Sequence, residues 1–117
     1  MDRFLRELGT DYLDVVLLHA KTSGSWPQAS EGAREALDRA REAGKVRAVG
    51  VSVHSLEALR AAAAERWVEV RLVRLNHAGT NMDAQPEVVL PIVRQAREAG
   101  AGVIAMKVLG CGELAAD

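Results

Sequence analysis

The chain has 117 residues, 49% hydrophobic and 26% charged, which fits one folded domain with a modest core and argues against a disordered segment. A net charge of −1 gives no electrostatic reason to expect nucleic acid or a membrane surface as partner. Two Trp, one Tyr and one Phe are too few for a base-stacking platform. Cys111 is the one cysteine, so neither an internal disulfide nor a thiolate metal cluster is available. No apolar run approaches membrane-spanning length and the first residues lack a signal-like apolar stretch, so a cytoplasmic setting is expected.

In chain order, the pattern predicts a short helix with Phe4, Leu5 and Leu8 on one face, ending at Gly9. A strand from Tyr12 to His19 follows, then a polar loop from Lys21 to Ser30 broken by Gly24 and Pro27. Ser30 is placed to cap a helix whose Ala33, Ala36, Leu37 and Ala40 fall on one face and whose exit is Gly44. A second strand runs from Val46 to Val53. Ser55 then caps a helix through Ala61–Ala64, with Leu56 and Leu59 facing inward. A third strand covers Val68 to Leu75. Pro86 and Pro91 bracket a last helix that reaches Glu98, with its main body expected to start at Pro91 and Ile92, Val93 and Ala96 on its buried stripe. Gly100 and Gly102 lead into a fourth strand, Val103 to Lys107.

Strands alternating with helices imply a parallel sheet, since each crossover returns the chain to the same end. The order alone fits both a doubly wound sheet and part of an eight-stranded barrel. In either, function gathers at the carboxyl ends of the strands, here marked by His19, by Ser52 with His54, by Asn76 with His77, and by Met106 with Lys107. A strand-end histidine is suited to donate to a carbonyl oxygen, although it serves as readily as a structural hydrogen-bonding group. Three histidines near successive strand ends also raise a zinc site, and a buried Lys107 a Schiff base. Ala48, Gly50 and Ser52 form an unusually small face, suited to a barrel interior, a close ligand or a tight helix contact.

Three blocks then resemble the aldo/keto reductase family. Leu8-Gly9-Thr10-Asp11-Tyr12-Leu13-Asp14 with Leu17-Leu18-His19 is similar to the stretch entering that family's fourth barrel strand. Gly44-Lys45-Val46-Arg47-Ala48-Val49-Gly50-Val51-Ser52 is similar to its fifth. Gly102 to Gly110, reading Gly-Val-Ile-Ala-Met-Lys-Val-Leu-Gly, is similar to its seventh. The resemblance implies an α/β fold, four parallel strands with intervening helices forming part of a (β/α)8 TIM-type barrel, as one partial domain over residues 1–117. It implies hydride transfer from NADPH or NADH to a small aldehyde or ketone. His19 matches the family's catalytic histidine, and Ser52 the serine that meets the nicotinamide carboxamide. Met106 stands where many members stack a tyrosine on the nicotinamide, and Lys107, Leu109 and Gly110 match the loop beside the cofactor's pyrophosphate. No metal ligand is implied.

The sequence departs from the family pattern at Val53, where asparagine is common, and at Leu72, roughly where a glutamine would stand. Its Ala-Met-Lys-x-Leu-Gly form is similar to a branch that sometimes carries iron–sulfur motifs, which a lone Cys111 cannot ligate. The family's proton-donating tyrosine, its lysine and its aspartate belong to earlier strands, and Tyr12 lies at the wrong end of its strand to stand in. Residues 1–117 alone are therefore expected to be inactive, and the sheet's two apolar edges are expected to drive self-association. A non-catalytic half barrel with a binding or assembly role, and a metal or Schiff-base barrel enzyme, remain as alternatives.

Overall fold

A computed structural model describes residues 1–115. The elements are α1 (Asp2–Leu8), β1 (Leu13–Lys21), α2 (Trp26–Ala29), α3 (Glu31–Glu42), β2 (Val46–Val53), α4 (Leu56–Ala64), β3 (Val70–Arg74), α5 (Pro86–Glu98) and β4 (Gly102–Met106), followed by a 3₁₀ turn at Gly110–Gly112. The strands form a single parallel sheet in the order β1-β2-β3-β4. Sequential order, with the apolar core on one side only, is the arrangement of a barrel segment; a doubly wound sheet reverses its strand order and carries helices on both faces.

Alternation along each strand separates the two faces. Val51 and Val53 of β2 and Val73 of β3 are sealed against Leu59, Ala58 and Ala62 of α4 and Val89 and Val93 of α5, while Val46 and Val49 of β2 pack with Leu37 and Ala40 of α3. The opposite face carries Val15, Leu17, Gly50, Leu72 and Ile104, with Val15 and Ile104 exposed. This is the face a complete barrel turns toward its axis. Gly50 shows how sharply the sheet bends there: an added Cβ would run into the Val70 carbonyl and the Leu17 side chain. Gly50 thus makes room for the neighbouring strands, rather than for a helix. No helix among the described residues is long and apolar enough to cross a membrane.

Several expectations are corrected. The Lys21–Ser30 loop contains α2, whose Trp26 is 2% exposed and joins the core, donating from Nε1 to the Ala58 carbonyl at 3.2 Å. Ser30 is buried between α2 and α3 and caps neither with its side chain. Of the two apolar stripes near the N-terminus, Leu5, Leu37 and Ala40 are buried, while Phe4, Leu8, Ala33 and Ala36 are exposed. Helix α5 begins at Pro86 and runs through Pro91. Pro91 is exposed in the second turn, so the Glu87 carbonyl left without its amide partner can turn to water. The third strand is shorter than expected, at Val70–Arg74.

Arg71 is the least expected core residue. Parity places it on the helix side of β3, where it is 4% exposed. Its Nε and one terminal nitrogen donate to the Ala62 carbonyl at 3.2 and 2.7 Å. That carbonyl lies in the last turn of α4, whose orphan acceptors and negative dipole end suit a guanidinium. At the other end of α4, Ser55 Oγ accepts from the Ala58 amide at 3.0 Å and donates to the Thr22 carbonyl at 2.7 Å, so the expected cap also pins the β1–α2 loop.

Candidate active site

The carboxyl ends of the four strands open onto the axis side of the sheet, and the sequence-predicted residues gather there in unequal ways. His19 lies inside β1 rather than at its end, because the strand continues to Lys21 through a bulge between Leu18 and Lys21. Ala20 takes φ 54° at that bulge. A bulge inserts one unpaired residue and re-aims its neighbours, a device that recurs beside active sites. His19 stays exposed, and its ring stands edge-on to that of His54 with centroids 6.1 Å apart.

Ser52 sits on the same side, in register with Leu72 of β3, which in turn faces Ile104 of β4. It is 2% exposed and its Oγ has no hydrogen-bond partner. A buried hydroxyl without a partner forfeits the bond that water would have given it, so it is a small reservoir of unspent polarity. Met106 ends β4 in register with Arg74, also on the axis side. His19, Ser52 and Met106 therefore share one face and one pole of the sheet.

The loop from Lys107 to Gly110 is shaped from outside. Asn76, buried at the exit of β3, donates its side-chain amide to the Thr80 and Lys107 carbonyls at 2.7 and 3.0 Å and accepts from the Ala78 and Thr80 amides, both at 3.1 Å. Asn81 donates to the Gly110 carbonyl at 3.0 Å. The β3–α5 loop thus clamps the β4 exit, and Lys107 is held at φ 58°. Gly110 is buried at φ 56°, and a Cβ there would press on Leu114 and Thr80. Packing alone accounts for this glycine. Leu109 and Val108 are exposed beside it. Lys107 is exposed as well and lacks the apolar enclosure a Schiff-base amine relies on.

Sequence reasoning missed Arg74 and Asp83. One terminal nitrogen of Arg74 lies 2.7 Å from His54 Nδ1, and the other 3.3 Å from Asp83 Oδ1. Burial pushes the Asp83 carboxyl above its ordinary range, outweighing the pull of Arg74 and His54. Burial, followed by the charge of Arg74, holds the His54 imidazole below its ordinary value. The available signal was parity: Arg74 is a charge two residues after Leu72 and so on the axis side of a strand end. His77 is exposed in the loop after β3, and no cluster of three or more His, Cys, Asp or Glu able to hold a metal occurs among the described residues.

The Aldo/keto reductase family profile matches residues 1–117, the full length of the sequence. The chain belongs to the aldo/keto reductase family. Among solved structures, the fold is similar to a Pseudomonas aeruginosa protein assigned to the aldo-keto reductases, with a TM-score of 0.71 at 20% identity over 95% of this chain. It is likewise similar to an aldo-keto reductase enzyme from a Medee basin deep-sea metagenome library, with a TM-score of 0.70 at 21% identity over 97% of this chain. The chain spans 40% and 39% of those two proteins, so aldo/keto reductase residues 1–117 correspond to a part of a longer barrel. No protein with a curated description matches the sequence.

Proposed function

We propose that residues 1–117 form the carbonyl-facing and nicotinamide-facing part of an NAD(P)H-dependent aldo/keto reductase. The single observation that carries this reading is the shared location of His19, Ser52 and Met106 on the axis side of the sheet at its carboxyl pole. Family membership supports the oxidoreductase class. A nicotinamide cofactor would supply hydride. The chain's own residues would do the positioning. His19, exposed at the mouth, would donate a hydrogen bond to the carbonyl oxygen of a small aldehyde or ketone. Ser52 Oγ, buried and unpartnered, offers hydrogen-bonding capacity that a carboxamide could take up. Met106 offers a polarisable thioether to a ring face. Lys107, Leu109 and Gly110, braced by Asn76 and Asn81, would lie beside the pyrophosphate.

On the family pattern the proton donor comes from strands outside these residues, so we expect residues 1–117 alone to bind cofactor without turning over. A general acid contributes on the order of 10²–10⁴-fold. We further propose that the outer edges of β1 and β4 pair with further strands, from the rest of a longer chain or from a second copy, in a cytoplasmic setting.

Titration with NADPH and with NADH, followed by nicotinamide fluorescence, tests the reading. Saturable binding is expected, weakened about tenfold by Ser52→Ala through loss of one hydrogen bond. No binding of either cofactor would remove the cofactor assignment.

A further inference from the structure

The residues matched to the family leave a chain of polar side chains across the same mouth without a task. His54 follows β2 on the same side of the sheet as Ser52 and stands beside His19. Arg74 reaches His54 Nδ1 at 2.7 Å with one arm of its guanidinium and Asp83 Oδ1 at 3.3 Å with the other. Asp83 belongs to the loop before α5, and its side chain is 2% exposed.

A guanidinium has donors and no acceptor, so Nδ1 of His54 must accept. A neutral imidazole accepting at Nδ1 carries its proton on Nε2, at the ring edge turned away from Arg74. Resting on the reductase reading, we propose that His54 is a second hydrogen-bond donor to the carbonyl oxygen of the ligand, its Nε2–H set by the Arg74–Asp83 pair.

The charged and titratable groups facing His54 are Arg74 from β3, Asp83 from the following loop, His19 from β1 and Lys107 beyond β4. Burial, Arg74, His19 and Lys107 all disfavour the imidazolium, and Asp83 alone favours it. The ring is thereby kept neutral, with one proton, on a defined nitrogen. The pair is also an incomplete structural network. Arg74 Nε and Asp83 Oδ2 are buried without partners, whereas a network serving stability alone gains by satisfying every group.

Two measurements on the 117-residue protein test this. Long-range ¹H–¹⁵N spectra of the imidazoles should show His54 protonated at Nε2 and unprotonated at Nδ1. The opposite tautomer, or an even mixture, would overturn the proposal. Arg74→Met should turn the single tautomer into a mixture, while an unchanged tautomer in a folded variant would refute the role of Arg74. Acetophenone, a ketone, is the ligand probe. Its addition should shift the His54 Nε2 resonance, and His54→Leu should weaken its binding about tenfold, with His54→Gln, which keeps an N–H donor, restoring most of it. An unmoved Nε2 resonance, or equal loss in both variants, defeats the donor role. Failure of cofactor binding together with these shifts intact would instead strike the reductase reading, so the two can fail separately.

Discussion

Val51 and Ser52 are adjacent in β2 and both are buried, yet they sit in opposite regimes. Val51 faces α4 and α5, where apolar side chains meet apolar side chains and each buried contact stabilises the fold. Ser52 faces the axis side, where its hydroxyl is left unpartnered next to Leu72, on the face that also carries His19, His54 and Arg74. One face of the sheet is finished and the other is set up for something more. The difference teaches that burial alone does not mark a core position; what the buried atom is satisfied by does.

Substitutions that break this contrast rank by face. Leu59→Ala, fully buried on the helix side, should cost about 2–5 kcal/mol in urea denaturation, as expected for a large-to-small change in a core with little room to relax. Ser55→Ala removes a cap and its tie to Thr22 and should cost roughly 1 kcal/mol by the same measurement. Ser52→Ala, although equally buried, should be near neutral or slightly stabilising, because it deletes a hydroxyl that makes no bond. A loss comparable to Leu59→Ala would show that Ser52 belongs to the finished face after all. Ile104→Thr on the exposed axis side should change stability by no more than about 0.5 kcal/mol.

The pH dependence sharpens the comparison through sign. His54 has a lower affinity for its proton in the folded state than in the unfolded chain, so the unfolded state binds more protons as pH falls through and below the ordinary histidine range. The contribution of His54 is therefore present above that range and is lost as the solution is acidified through the depressed folded value. Asp83 has the opposite sign: with its folded value raised, its contribution is present below the ordinary carboxylate value and is lost as pH rises through the raised one. The difference in urea midpoint between the parent and His54→Gln, measured from pH 5 to 8, should move in the parent's favour as pH rises through the histidine range. A difference that stays constant with pH would show that His54 does not change its proton affinity on folding.

Much of the architecture was legible in the chain. The strand and helix alternation, the cap at Ser55 and the start of β2 at Val46 follow from local chemistry, and the three sequence blocks lead to His19, Ser52 and Met106. What local pattern misjudged were places where distant residues decide. Trp26 looked like part of a polar loop, because its partner Ala58 lies 32 residues away. Arg71 drew no expectation of its own, because the α4 carbonyl it meets comes from a different element. Pro91 looked like a helix start, since sequence alone does not say that its side of α5 faces water.

By itself, then, the sequence determined the four strands, the helices α1, α3, α4 and α5 in their order, and the family. Periodicity, caps and short motifs act over a few neighbouring residues, so they can be read without knowing the fold. Tertiary structure decided that Ser52 is sealed and unpartnered, that a bulge re-aims the strand at His19, that Asn76 and Asn81 brace the Lys107–Gly110 loop, and that Arg74 joins His54 to Asp83. Those contacts depend on strand register and sheet curvature, which arise only when separate segments are packed together, as His54 is with Arg74, 20 residues on.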